Sequence, residues 1–297
     1  MTHIPLTADA PFAEAGRHMM AEQLDTIGEY MPALRERADV TAVHETRKAI
    51  RRTFTLFKLF TPNFAPGELE PHRQALRQLM HRLGPCRDLA VFRLKLVEYN
   101  TAAGMPLLVL AEYMEERQAA ADERLRDYLE SSRVKKQLRR YRKLVTTPGA
   151  GVPPQTEKTA SLLVRHVLPT LVFQRLGAVR AWGDILPTAT SIQFHQLRIQ
   201  FKELRYTLTF FDDLLGETSG QIIELTRRVQ DHLGYLNDAS VATAMLIDMD
   251  CCPEEVAIYG EYQRGELARL TQAFYPLYAQ FDRRDVRQVL ALTVASL

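Results

Sequence analysis

The chain is poor in the features that announce most chemistries. It has three cysteines and one tryptophan in 297 residues, and nowhere do the roughly eighteen uncharged apolar residues needed to span a bilayer follow one another. Cys86 and the adjacent Cys251 and Cys252 lack zinc-ligand spacing, and an odd count suggests no disulfide framework, so they read as ordinary reduced thiols. The opening Met1-Thr2-His3-Ile4-Pro5 has no basic stretch followed by an apolar core, so the expected location is the cytoplasm, with no membrane partner. There is no Gly-rich phosphate loop, no His-Glu-x-x-His and no convincing nucleophilic triad. The expectation is therefore a protein that is not an enzyme, with no catalytic residue, metal or cofactor. Alternating polar and apolar positions bounded by turns are also missing, which argues against strands.

Hydrophobic residues make up 46% and charged residues 25% of the chain, enough for a globular core. The net charge is only +2, but residues 1–150 carry 24 Lys/Arg against 19 Asp/Glu while 151–297 carry 14 against 17. A general nucleic-acid coat needs a more basic domain than this, so an anionic partner must meet a focused patch.

Apolar residues recur at helical spacing almost throughout, which makes the fold class all-α. The periodicity predicts helices over 12–36, 41–61, 70–84, 87–103, 107–145 with a break near Ser131-Ser132, 157–182, 191–214, 219–234, 237–249, 253–280 and 283–296. Two glycines and three prolines between Thr146 and Pro154 forbid helix continuation there. The expected division is a helical bundle over 1–147, a Pro/Gly linker over 148–156 and a second helical bundle over 157–297.

A mid-chain linker prompts a search for duplication. His44-x-x-Arg47-x-x-x-Arg51 aligns with His195-x-x-Arg198-x-x-x-Lys202 at a shift of 151. Leu83-Gly84-Pro85-Cys86-Arg87-Asp88 aligns with Leu233-Gly234-Tyr235-Leu236-Asn237-Asp238 at a shift of 150. Two matches in one order at nearly one shift imply an internal repeat, its halves related by a pseudo-twofold axis.

On a helix advancing 100° per residue, His44, Arg47, Lys48, Arg51 and Lys58 fall on one stripe, and Ile50, Phe54, Leu56, Phe57 and Phe60 on the opposite arc. The second copy places His195, Arg198, Lys202, Arg205 and Tyr206 in front of Leu197, Phe201, Leu204, Leu208 and Phe211. Like charges three and four apart on a helix repel, and His44 and Glu45 promise little neutralisation. A single cationic stripe reads as a solvated face. Retention of His, Arg and a basic residue at the same offsets in both halves points instead to an anion, with arginine forks and lysine point charges suited to phosphate oxygens. The Leu-Gly segments read as helix ends, with Gly84 and Gly234 as C-terminal caps; Arg82 and Arg87 could face the same groove as the first basic helix, at places His232 and Asn237 take in the second half.

These residues resemble the CHAD family, the conserved-histidine α-helical domain, marked by a His-x-x-Arg-x-x-x-Arg/Lys helix in each half followed by a Leu-Gly-x-x-x-Asp turn. Lys202-Glu203-Leu204-Arg205-Tyr206 continues the second signature, and the resemblance spans about residues 10–295. It implies two helical bundles about a pseudo-twofold axis with a basic central cavity, non-catalytic binding of inorganic polyphosphate, and association with polyphosphate granules. It implies that His44, Arg47, Arg51, His195, Arg198, Lys202 and Arg205 line that cavity; Lys48, Arg52, Lys58, Arg82, Arg87 and Tyr206 join them as candidate polyphosphate-binding residues. The second half departs from the first where Ile199 answers Lys48 and Glu203 answers Arg52, so the anion is expected to lean on the first half.

Other readings are a divalent-metal site on His44 and His195, opposed by the flanking arginines, and a phosphate-ester-processing accessory protein, which lacks acidic metal ligands. Nucleic acid is disfavoured because the basic fronts carry little aromatic surface for stacking. His18, His72, His81 and His166 read as surface or structural residues, Trp182 as a packing anchor, and the seven cations from Arg133 to Lys143 as a solvated helix end, with an extension of the anion path as the alternative.

Overall fold

Asp39 and Thr190 are the kind of short polar residues that cap helices, and each begins one of the two basic helices. Asp39 accepts a hydrogen bond from the backbone N–H of Ala42 at 3.0 Å, starting α2 (Val40–Phe60). Thr190 and Gln193 close a reciprocal capping box at the start of α7 (Ser191–Phe210). Each cap stands five residues before the histidine of its helix, so His44 and His195 take the same station in the second turn.

In this computed structural model, the chain is described over residues 6–104, 106–154, 162–247, 249–295 and 297. Besides α2 and α7 it forms α1 (Phe12–Arg37), α3 (Glu70–Ala103), α4 (Leu108–Glu130), α5 (Ser132–Thr146), α6 (Val164–Arg180), α8 (Asp212–Leu215), α9 (Glu217–Ile247), α10 (Pro253–Phe281) and α11 (Arg284–Ala295). No β-strand occurs among the described residues, as the all-α reading requires. The predicted break at Ser131 separates α4 from α5, where the Ser131 hydroxyl caps Val134. Of the helix predicted over 157–182, residues 157–161 lie outside the described residues, and α6 begins at Val164.

Two predicted helix ends are absent. Gly84 and Pro85 lie inside one continuous α3, and Gly234 inside one continuous α9. An interior Pro removes a backbone hydrogen bond and costs about 3 kcal/mol, an interior Gly about 1 kcal/mol. Packing outweighs both: Leu76, Leu79, Leu83, Cys86, Leu89, Phe92 and Leu96 form one buried row that runs straight through the Gly-Pro step. In α9, Leu233, Leu236, Ala239, Ala242 and Leu246 repeat the burial of Leu83, Cys86, Leu89, Phe92 and Leu96 at a shift of 150.

The chain divides into two compact units. One, here the α2 unit, comprises Arg17–Pro153 and Val241–Arg264; the other, the α7 unit, comprises Met1–Gly16, Pro154–Ser240 and Gly265–Leu297. In the α2 unit, Ile50, Leu56, Phe57 and Phe60 are wholly buried behind the cationic front of α2, and Phe57 meets the buried Tyr141 of α5 edge-on. Phe54, placed on that apolar arc by the helical wheel, is only half-buried. The Glu255 carboxylate accepts the Leu110 N–H at 2.8 Å and so caps α4, whose own N-cap side chain, Leu107, cannot. In the α7 unit, Leu197, Phe201, Leu204, Leu208 and Phe211 are wholly buried, with Phe201 against Phe281 and Phe12 stacked on Phe211.

The Pro/Gly segment after α5 is pinned to the α2 unit at its start. The buried Arg17 donates to the carbonyls of Leu144 at 2.7 Å and Ala150 at 2.8 Å, and Ala65 N–H donates to Gly151 at 2.7 Å. Gly151 has φ +70°, and a Cβ there would come within 2.5 Å of Glu68 Cγ and 3.1 Å of Leu144 Cδ1. Gly149 has φ +73° with open space around it. Gly151→Ala should therefore cost about 2–3 kcal/mol, from left-handed strain plus overpacking, and Gly149→Ala about 1 kcal/mol from strain alone. Thermal unfolding of the two variants side by side checks the difference.

Candidate functional site

The caps set where the cations emerge. On α2, His44 and Lys48 are exposed, Arg51 and Arg52 half-buried, and Lys58 exposed. Arg47 is not on the solvent front: it is buried against α3, with its Nη2 atom 3.8 Å from the Asp88 carboxylate and its Nη1 over Gly84. Gly84 thus lies beneath a guanidinium and ends no helix, as the neighbouring turns of α3 are packed on α2.

Arg82 and Arg87 lie on the same α3. Arg87 stands close enough to His44 to act on it electrostatically, and Arg82 rests 5.5 Å above the Tyr128 ring. Burial, followed by Arg87 and then Lys48 and Arg51, depresses the His44 pKa below 6.5, with Glu45 opposing. The imidazole of free His44 is therefore neutral at pH 7, held so in part by surrounding positive potential. Glu45 neutralises more than its position suggested: it pairs with Lys48 at 2.9 Å and lies 3.8 Å from His44.

In the α7 unit, His195 is exposed and its Nδ1 is 2.8 Å from the Asn237 side-chain oxygen of α9. An amide oxygen only accepts, so that contact makes Nδ1 the donor. Asn237 is 150 positions after Arg87, so each histidine is met by the matching residue of the following long helix. Arg198 and Lys202 are half-buried. Arg205 donates to Gln230 at 2.7 Å and covers the Tyr206 ring at 5.0 Å. Tyr206 itself is buried at 4% exposure, beside Phe210, so it belongs to the core and cannot present its ring to a ligand.

Glu203 answers Arg52 in the sequence but does not dilute the front. It is buried and forms an ion pair with the equally buried Arg175 of α6 at 2.7 Å. The partner, Arg175, follows Gln174 in the mostly apolar second half of α6, and nothing local to either helix ties it to Glu203. Among the described residues no group of three or more His, Cys, Asp or Glu is placed to hold a metal ion. No helix among them is long and apolar enough to cross a membrane.

The family model of the CHAD domain matches residues 18–247. The chain belongs to the CHAD domain family. The CHAD fold is borne out by solved structures: the crystal structure of the CHAD domain from the plant Ricinus communis superposes with a TM-score of 0.73 at 22% identity, covering 97% of this chain and 94% of that one. PptA from Streptomyces chartreusis superposes with a TM-score of 0.71 at 17% identity, covering 91% of this chain and all of its own 100%. No curated protein matches the sequence. The match to the CHAD model takes in both basic helices and both Leu-Gly segments.

Proposed function

We propose that this CHAD protein is a non-catalytic binder of inorganic polyphosphate, using the basic helix of each unit. The observation that carries the reading is the convergence of Arg87, Lys48 and Arg51 from α3 and α2 on His44, whose pKa burial and then these cations lower against the pull of Glu45. Cations gathered at that density repel one another and leave a local field that a row of phosphates relieves. The α7 unit offers His195, Arg198 and Lys202 at the places of His44, Arg47 and Arg51, and adds Arg205 where the first copy has Phe54, which supports a duplicated design. The equal spacing from cap to histidine and the repeated burial of α3 in α9 support it further. On this reading the protein would gather at polyphosphate granules in the cytoplasm, which a fluorescent fusion viewed with a polyphosphate stain would reveal.

The polyanion should raise the pKa of His44, since a bound negative charge favours imidazolium. Binding then takes up a proton, so affinity should rise as pH falls through 6.5 and below, and fall as pH rises. Titration calorimetry with long-chain polyphosphate at pH 5.5 and pH 8 should give an affinity severalfold higher at the lower pH, on the order of 1 kcal/mol. His44→Ala should flatten that profile. Affinity should drop steeply with salt at either pH. A parent protein that binds no polyphosphate at low salt, or that releases phosphate from it with magnesium or manganese present, would overturn the reading.

A further inference from the structure

The α5 helix, in the α2 unit, carries Arg133, Lys136, Arg140 and Lys143 at offsets whose first three members repeat the spacing of His44, Arg47 and Arg51. On a helical wheel the four fall within an arc of about 80°, with Val134, Tyr141 and Val145 buried on the other side. All four are exposed, and none has an ion pair among the described residues. Of the three cations off the stripe, Lys135 pairs with Glu130 at 3.6 Å and Arg142 with Asp25 at 2.6 Å, while Arg139 donates to the Lys135 carbonyl of its own helix at 3.4 Å. Arg133 also sits in the first turn, where the helix dipole disfavours a cation and no acidic residue offsets it.

The stripe borders α3, the helix that also carries Arg87 of the site already described. Tyr128 lies between Arg82, 5.5 Å from its ring, and Arg133, which also acts on its hydroxyl. Ten residues earlier on α3, His72 packs against Tyr141 at 5.2 Å, and Arg140 acts on it. Arg133 thus adjoins Arg82 and Arg140 adjoins His72, so α3 and α5 run side by side in opposite directions. Glu68, which acts on His72, is the carboxylate at that far end; Glu130 faces Lys135 and Arg35, off the stripe.

We propose that Arg133, Lys136, Arg140 and Lys143 of α5 form a second phosphate track, about 15 Å long, that takes up the continuation of a polyphosphate chain bound at α2 and α3. The proposal rests on the polyphosphate reading and adds a chain-length dependence to it. Short chains fill the α2 surface alone, and long ones reach α5. The track offers charge without an exposed aromatic ring, since Tyr141 is buried and Tyr128 half-buried, and so suits a bare phosphate polymer better than stacked bases.

The test is the full chain with Arg133→Gln, Lys136→Gln, Arg140→Gln and Lys143→Gln combined, all exposed positions where Gln keeps helix propensity. Affinity for long-chain polyphosphate should fall about tenfold with a shallower salt dependence, while affinity for tripolyphosphate stays within about twofold. Unchanged thermal unfolding establishes that the fold is intact. Long-chain affinity within about twofold of the parent overturns the track, as does an equal loss for both ligands, which marks a general field effect. Loss of RNA binding with polyphosphate binding intact also overturns it. If the parent binds neither polyphosphate, it is the polyphosphate reading that has failed, whatever the variant does.

Discussion

Glu203→Ala is expected to destabilise the α7 unit by about 3–5 kcal/mol, because it strands the buried Arg175 without its partner. Both side chains are less than one-tenth exposed, so water cannot take the place of the lost carboxylate. A domain holds only about 5–15 kcal/mol in total, so the loss removes a large share of it. It should appear as a fall of roughly 10 °C or more in Tm. Arg175→Ala should do comparable harm by leaving the carboxylate buried. Removing both charges should not. At the matching position 151 residues earlier, Arg175 is answered by Leu24, which is buried at 2% exposure, so an apolar residue fits that station. Arg175→Leu with Glu203→Leu should therefore unfold near the parent temperature, since well-packed apolar replacements of buried pairs are close to neutral. A double variant as unstable as either single one would show that the pair is not the cause.

That pair also marks where sequence reasoning reached its limit. Periodicity was enough to place α2 and α7, because each start is fixed by a local cap, Asp39 and Thr190, that satisfies backbone N–H groups within one turn. The apolar backs of both helices were legible for the same reason, save that Phe54 is only half-buried. Gly84 and Gly234 were misread because local propensity makes glycine a helix end, whereas the buried row from Leu76 to Leu96 is a tertiary effect that no short window contains. Arg47 and Tyr206 have the right angular positions for a front but are buried by neighbours on other elements. A helical wheel gives the direction of a side chain from its own axis and nothing about what packs there. The pairing of Glu203 with Arg175, and of His195 with Asn237, needed three dimensions to see, although the 150-residue shift already placed Asn237 opposite Arg87.

Replacing Arg47, Arg51 and Lys202 together with alanine should weaken long-chain polyphosphate binding by roughly 100-fold, or about 3 kcal/mol, from the loss of two direct charge-assisted contacts and of the support Arg47 gives to a third. The three are not equivalent. Arg51 and Lys202 are half-buried and can reach an anion directly, one from each unit. Arg47 works through α3, where it lies by Asp88 and over Gly84, so its removal loosens the seat of Arg87 and acts on binding at second hand. The Arg51→Ala, Lys202→Ala double variant should therefore keep the parent Tm and account for most of the loss, while Arg47→Ala alone should lower Tm by a few degrees with a smaller loss of affinity. Arg51→Ala should cost more than Lys202→Ala, because Arg51 shares its surface with His44, Lys48 and Arg87, and Arg87, Lys48 and Arg51 add to burial in depressing His44. Calorimetry at one fixed salt concentration ranks the variants. A triple variant that binds as tightly as the parent would remove the basic helices from any account of what this protein holds.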